Sequence, residues 1–185
     1  MKLLSKNPQL VIGSIIVLGV TIVAVFAPLL APYHPIDDAN LLYSMESPGE
    51  DFLLGADRQG RDLLSRIIFG ARISLAIGII SQLLNTFIGV TLGLIAGYVG
   101  GWIDDLIMNV TNIMLSIPPL ILALTIMALL GPGLINIFIA LGFTLWTYTC
   151  RVTRAQTLSL KEKDFVEAAR AIGVSDIKII FKHIL

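Results

Sequence analysis

The sequence predicts an all-α protein, a polytopic bundle of helices that cross a membrane, and three observations carry that prediction. The chain is 56% hydrophobic and only 14% charged, with a mean hydropathy of +0.87, more apolar surface than a soluble domain of this length can hide. Its apolar residues gather into uncharged runs near the length that crosses about 30 Å of hydrocarbon at about 1.5 Å per residue. Glycine, proline and charged residues punctuate those runs.

Four runs qualify as spans. Residues 10–30 carry no charge, and the run exceeds the roughly 7–15 residues of a signal-peptide core, so it reads as an uncleaved anchor. Residues 73–99 form the second. Residues 106–130 form the third, in which Pro118 and Pro119 must kink or break the helix. Gly131-Pro132-Gly133 then interrupts the chain, and residues 134–150 form a shorter fourth span. Asp104 and Asp105 suit the start of span three, where the helix dipole favours acids. Ahead of span two, Leu63, Leu64, Ile67, Ile68 and Ala71 make an apolar stripe with Arg61, Asp62, Ser65 and Arg66 opposite, the pattern of a helix lying in the interface. Asp62 stands four residues before Arg66, the favourable order for a helical ion pair. The expected division is residues 1–72, an anchor with an external loop and interfacial helix, and residues 73–185, a core ending in a cytoplasmic loop.

Charge sets the orientation. Of the 13 Lys and Arg residues, two precede span one, four lie in residues 31–72, none separates spans two and three, and seven follow span four. The last segment is therefore expected inside. Four crossings then put the N-terminus inside and residues 31–72 outside, where seven acidic residues accompany the four arginines.

Within the spans, Gly89, Gly93 and Gly97 recur at intervals of four on one face, the spacing that lets helices meet backbone to backbone. Asn109, Asn112 and Ser116 form a polar stripe on span three, and Gln82 and Asn85 another on span two. These residues line a route for substrate amides or bond between helices, and the sequence leaves both open. No phosphate-binding Gly-rich loop, His-Glu-x-x-His pair or Cys/His cluster is present, and the lone Cys150 makes no internal disulfide. No catalytic residue and no metal site is expected, the chain is not expected to be an enzyme, and nothing points to nucleic acid.

Behind the spans, Phe165 to Ile172 reads as a short helix whose small residues, Ala168, Ala169 and Ala171, let another surface approach closely. Gly173 is placed to close it in the left-handed conformation. Ser175 or Asp176 can cap a second helix in which Ile177, Ile180, Phe181 and Ile184 recur at helical spacing. Lys163, Glu167 and Arg170 can equally be surface ion pairs.

This segment resembles the EAA loop of ABC-transporter permeases, whose pattern is Glu-Ala-Ala, three residues, Gly, nine residues, a variable position, one residue, Leu-Pro. Glu167, Ala168, Ala169, Gly173 and Leu185 fall at those places, with His183 at the variable position. The run Leu54-Gly-Ala-Asp-Arg-Gln-Gly-Arg-Asp-Leu-Leu-Ser-Arg-Ile-Ile-Phe-Gly-Ala-Arg-Ile-Ser-Leu75 is similar to that of the C-type subunit of dipeptide, oligopeptide and nickel importers, with Ala56 where that branch usually has Thr. Phe26-Ala-Pro-Leu-Leu-Ala-Pro-Tyr33 is similar to its first-span exit.

The resemblance implies a permease of the type I importer kind in a bacterial or archaeal inner membrane. It would be paired with a second permease, two cytoplasmic ATPases that bind ATP and Mg, and an extracytoplasmic substrate-binding protein, and would hold no cofactor of its own. It implies about six spans, so two more are expected after Leu185, the sequence being a fragment or a truncated product. A non-transporting membrane scaffold with the permease fold, and nickel rather than peptide as cargo, are the alternatives.

Overall fold

The structure, a computed structural model, describes residues 7–184. Packing divides the chain into two units, Met1–Gly78 and Ile79–Leu185, taken separately below.

In the first unit, α1 (Pro8–Val25) opens on a proline, whose missing N–H costs nothing in a first turn. Its 18 residues rise about 27 Å, and of all its side chains only Ala24 is buried. An apolar helix with no protein covering is satisfied by lipid, because its backbone hydrogen bonds are all internal. A single turn, α2 (Ala27–Leu30), follows with Pro28 in its first positions.

The loop after α2 has its own small core. The Phe52 ring lies 5.3 Å from Tyr33 and 5.4 Å from Tyr43 between centroids, and the Tyr33 hydroxyl donates to the Asp51 carbonyl at 3.0 Å. Gly60 has φ +68°, and a Cβ there would stand 1.7 Å from the Asn40 carbonyl oxygen; only glycine fits. Between these points Asp57 gathers donors. One carboxylate oxygen accepts the backbone N–H groups of Gln59 (2.7 Å) and Arg61 (3.1 Å), and the other accepts Arg61 Nε at 2.9 Å and the Arg66 guanidinium. Desolvation alone would raise this carboxyl; the hydrogen bonds from Arg61 and Gln59 and the Arg61 charge outweigh it and hold Asp57 at about 2.

Asp62 does not pair with Arg66 as its spacing predicts. Buried at the start of α3, its carboxylate accepts the Ser65 backbone N–H at 2.7 Å and the Ser65 hydroxyl at 2.6 Å. This is an N-cap, which satisfies donors that the first turn leaves orphaned, and it leaves Arg66 to Asp57. Ser65 also accepts the Tyr33 N–H at 3.0 Å.

Helix α3 (Leu63–Val99) is continuous for 37 residues, so the helix expected over residues 63–71 runs without a break into span two. No proline or paired glycine interrupts the sequence there, and helix propagation is favourable once nucleated. At about 55 Å, α3 is longer than the roughly 30 Å hydrocarbon core.

In the second unit, α4 (Gly101–Leu115) and α5 (Pro119–Leu130) replace the single third span. They meet at 89°. The tandem prolines explain it: Pro118 cannot continue the α4 ladder, Pro119 holds Pro118 extended (ψ 130°), and α5 restarts with Pro119 at its first turn. Asn136 closes the far end of α5, its side-chain amide donating to the carbonyls of Leu130 (2.9 Å) and Gly131 (3.1 Å).

The fourth span, α6 (Leu134–Lys161), runs eleven residues beyond the expected end at Cys150. Arg151 onward marks where the apolar run ends, but Arg, Ala, Gln, Leu and Lys are good helix formers and no Gly or Pro intervenes. Then come α7 (Asp164–Ala171) and α8 (Asp176–Ile179), which passes into a π-turn, Ile180–Ile184. Among the described residues three helices are long and apolar enough to cross a membrane, or four crossings if the bent pair counts as one. The protein is a multi-pass membrane protein.

Candidate functional site

Helix α6 is the element on which the second unit is assembled. Against α3, Gly89, Gly93 and Gly97 face Thr149, Thr153 and Thr157. A Cβ added at each would lie 2.6, 2.7 and 2.7 Å from the Cβ of those threonines, with α6 carbonyls as close as 2.5 Å. Gly142 of α6 does the reverse, receiving Leu84, whose Cβ a side chain there would meet at 2.9 Å. Two helices that approach this closely gain dispersion contacts along their backbones, the main packing force available where lipid is as apolar as protein.

The polar span residues divide into two kinds. Asn85 is buried and accepts from the Thr149 hydroxyl at 3.0 Å, with Gln82 beside it at 3.4 Å, so Asn85 is spent on the α3–α6 contact. Asn109 and Asn112 on α4, and Ser116 just past its end, are exposed. Asn112 accepts from the Arg151 guanidinium of α6 at 2.6 Å, while the Ser116 hydroxyl turns back to the Ile113 carbonyl at 2.6 Å. Asp104 is more than a helix-dipole acid: its carboxylate takes both arms of Arg154 at 2.5 Å. Beneath it Thr111 and Cys150 are fully buried together.

The C-terminal hairpin packs around Tyr98, in the last turn of α3. Tyr98, Val166, Ala169 and Ile179 form one buried cluster with Val174, Ile180 and Ile184 against it. Helix α7 closes as its sequence predicts. Gly173 has φ +81°, its N–H reaches the Arg170 carbonyl at 3.0 Å, and the Val174 N–H reaches Ala169 at 3.1 Å, which is the Schellman pattern.

Two expectations about this hairpin need correction. Ala169 is not on an open face: it is buried under Tyr98, and the exposed small residues are Ala168 and Ala171, flanked by Glu167 and Ile172. Nor do Ile177 and Phe181 pack; they are 71% and 69% exposed, and Ile179 is the buried residue. Of the four residues at helical spacing, Ile180 and Ile184 do pack against the cluster, while the chain beyond Ile179 winds with a wider repeat than 3.6 residues and leaves Phe181 outside. His183 is half-buried, its ring 6.5 Å from that of Phe165. Leu185 lies outside the described residues.

Tyr98 was missed by sequence reasoning. Its hydroxyl donates to the Asp176 carboxylate and accepts from the Arg170 guanidinium at 3.4 Å, its carbonyl accepts from Lys161 Nζ at 2.8 Å, and both cations sit 5.9 Å from its ring centroid. Arg170 is held further toward its charged form, chiefly by the Tyr98 hydroxyl. The one available signal was a polar aromatic closing the glycine stripe just before Gly100-Gly101, a position where tyrosine bridges apolar and wet surroundings.

Comparison with known proteins gives this arrangement its family. Residues 89–185 match the family described as binding-protein-dependent transport system inner membrane component, and residues 1–48 match the N-terminal TM domain of oligopeptide transport permease C. The chain is 41% identical over 186 residues to a dipeptide transport system permease protein of Alkalihalophilus pseudofirmus, covering 100% of this chain and 60% of the relative. It is 38% identical over 175 residues to a glutathione transport system permease protein of Pectobacterium atrosepticum, covering 95% and 58%. An oligopeptide transport system permease protein of Bacillus subtilis is 35% identical over 180 residues, covering 97% and 59%. The chain thus spans 58–60% of the length of these three relatives. The two matches take in the N-terminal helix at one end and, at the other, the glycine-packed helices and the hairpin that follows them, and the chain belongs to the family of inner-membrane components of binding-protein-dependent transport systems.

Proposed function

We propose that this chain is a permease subunit of an ABC importer for peptides in a bacterial inner membrane, and that the α7–Gly173–α8 hairpin docks on a cytoplasmic ATPase. The observation that carries the reading is how the hairpin spends its residues. Val166, Ala169 and Ile179 bury one side on Tyr98, and what remains outside is a short helical face of Glu167, Ala168 and Ala171 next to the exposed Ile172. Such a face admits close approach by another protein surface, and its backing is fixed before the partner arrives, which lowers the ordering cost of docking. ATP and Mg belong to the partner ATPases. A second permease and an external binding protein complete the assembly.

Peptide is favoured as cargo because the relatives are named for dipeptides, oligopeptides and glutathione, rather than for nickel. Asn109 and Asn112, exposed on α4, and Ser116, exposed just past its end, are our candidates for the translocation path; Asn85, already hydrogen-bonded and buried, is withdrawn from it. In this reading residues 31–62 face outside and the hairpin faces inside.

The test is co-purification of the tagged chain, in its assembly, with its ATPases. Ala168→Trp should leave membrane insertion intact and lower ATPase recovery about tenfold or more, since a bulky ring on the docking face blocks approach. Undiminished recovery with this variant would remove the hairpin from the interface. A wild-type chain that inserts but recovers neither ATPase nor second permease would favour the scaffold reading.

A further inference from the structure

The hairpin is tied to the spans through one side chain. Three separate parts of Tyr98 are engaged by three separate elements: its hydroxyl by Asp176 at the start of α8 and Arg170 of α7, its ring by the Arg170 and Lys161 cations, and its carbonyl by Lys161 at the end of α6. Two residues later Gly100 (φ +73°) and Gly101 (φ +57°) make the turn into α4, and a Cβ on either would meet nothing within 4 Å. The turn that joins Tyr98 to α4 is therefore short and uncrowded at both glycines.

Helix α4 in turn carries Asp104, whose carboxylate holds Arg154 of α6. A force on the hairpin thus has a short covalent and hydrogen-bonded route to the helix bearing Asn109 and Asn112, starting at the Tyr98 hydroxyl.

We infer that Tyr98 is a positioning residue for coupling: its hydrogen bond to Asp176 holds the α7–α8 hairpin in register with the α3–α4 turn, so that movement of the hairpin is delivered to α4. The inference rests on the proposed ATPase-docking role only for its transport consequence; the tie between hairpin and span stands on the geometry.

Two arms test it, and each separates the hydroxyl from the packing. Tyr98→Phe keeps the ring that covers Val166, Ala169 and Ile179 and removes the hydroxyl that donates to Asp176 and accepts from Arg170, and Asp176→Asn replaces the charged acceptor by a weaker, neutral one. In the first arm, amide hydrogen exchange is followed on the membrane-embedded chain. Each variant should speed exchange over residues 164–184 several-fold with the α6 amides unchanged, and the double variant should be no faster than Tyr98→Phe alone, because both act on the same bond. Exchange that is unchanged in Tyr98→Phe, or effects that multiply in the double variant, would overturn the tie.

In the second arm, the assembled importer is assayed for ATP hydrolysed per substrate transported, normalised to complex recovered. Tyr98→Phe and Asp176→Asn should raise this ratio several-fold at wild-type complex yield, a change that simple loss of folded protein does not produce. An unchanged ratio with faster exchange would overturn the coupling role. If the wild-type chain recovers no ATPase, it is the docking proposal that fails, and the exchange arm still decides the tie.

Discussion

Asp104 and Arg154, fifty residues apart, are joined by two hydrogen bonds of 2.5 Å that fix α4 against α6. The Asp104 side chain is only 13% exposed. A paired charge there is stable because each partner supplies what desolvation removes; one left alone is not.

Removing one partner should therefore be worse than exchanging both. Asp104→Ala leaves the guanidinium facing α4 without an acceptor, and the loss of a charged hydrogen bond is worth about 1.5–3 kcal/mol. Thermal unfolding in detergent should fall for Asp104→Ala and for Arg154→Ala, and the two losses should not add in the double variant. Additive losses would mean that the contact holds little of the interface.

The glycine face offers an internal control. Gly93→Ala puts a methyl group 2.5 Å from the Cys150 carbonyl oxygen and 2.7 Å from the Thr153 Cβ, whereas Gly78→Ala in the same helix meets nothing within 4 Å. Overpacking costs about 1–3 kcal/mol, while alanine in an open helical site stabilises by about 0.5–1 kcal/mol. Melting temperatures should move in opposite directions, with Gly93→Leu worse than Gly93→Ala. Equal behaviour of Gly78→Ala and Gly93→Ala would remove the close α3–α6 contact.

Asp57 predicts an acid limit for its loop. Its folded carboxyl sits at about 2 against an ordinary 3.8. A depressed acid stabilises the fold above its unfolded value and loses that contribution as pH falls toward its folded value. Order in residues 40–66 should thus hold down to about pH 4 and decline from there to about pH 2, read as hydrogen exchange or susceptibility to an acid protease. Asp57→Asn should weaken the loop at neutral pH and flatten that pH dependence.

Gly173 separates backbone strain from contact. Its φ is +81°, and a Cβ added there would meet no atom within 4 Å, so a side chain is opposed only by the left-handed backbone, about 1–2 kcal/mol. Gly173→Asn should be tolerated better than Gly173→Val, because Asn visits this conformation most readily. Fraying of α7 by hydrogen exchange is the measurement, and equal effects of Asn and Val would refute the strain argument.

The expected sidedness is open to direct labelling. Ser47 and Ser159 are both exposed, and Cys150 is buried. In a Cys150→Ser background, an impermeant thiol reagent on intact cells should label Ser47→Cys and spare Ser159→Cys. The reverse pattern would invert the topology.

Composition and spacing alone determined the helical class, the membrane, the glycine face and the left-handed stop at Gly173, since these follow from local rules: hydrocarbon thickness, a four-residue repeat, and the one residue without a Cβ. Tertiary structure decided which partner each polar residue takes. Asp62 caps a helix instead of pairing with Arg66 because Asp57, supplied by a turn that Gly55 and Gly60 permit, is better placed to receive that guanidinium. Arg151 and Arg154 look like the start of a loop in one dimension; local propensity keeps them in α6, and the partners they take there, Asn112 and Asp104 of α4, are legible only in the fold. Ala169 and Ile179 turn inward, and Ile177 outward, because Tyr98 arrives from a helix that ends more than 60 residues earlier in the chain. Local pattern fixes what a segment can form, while the choice among hydrogen-bond partners and buried faces depends on which other segment is brought beside it.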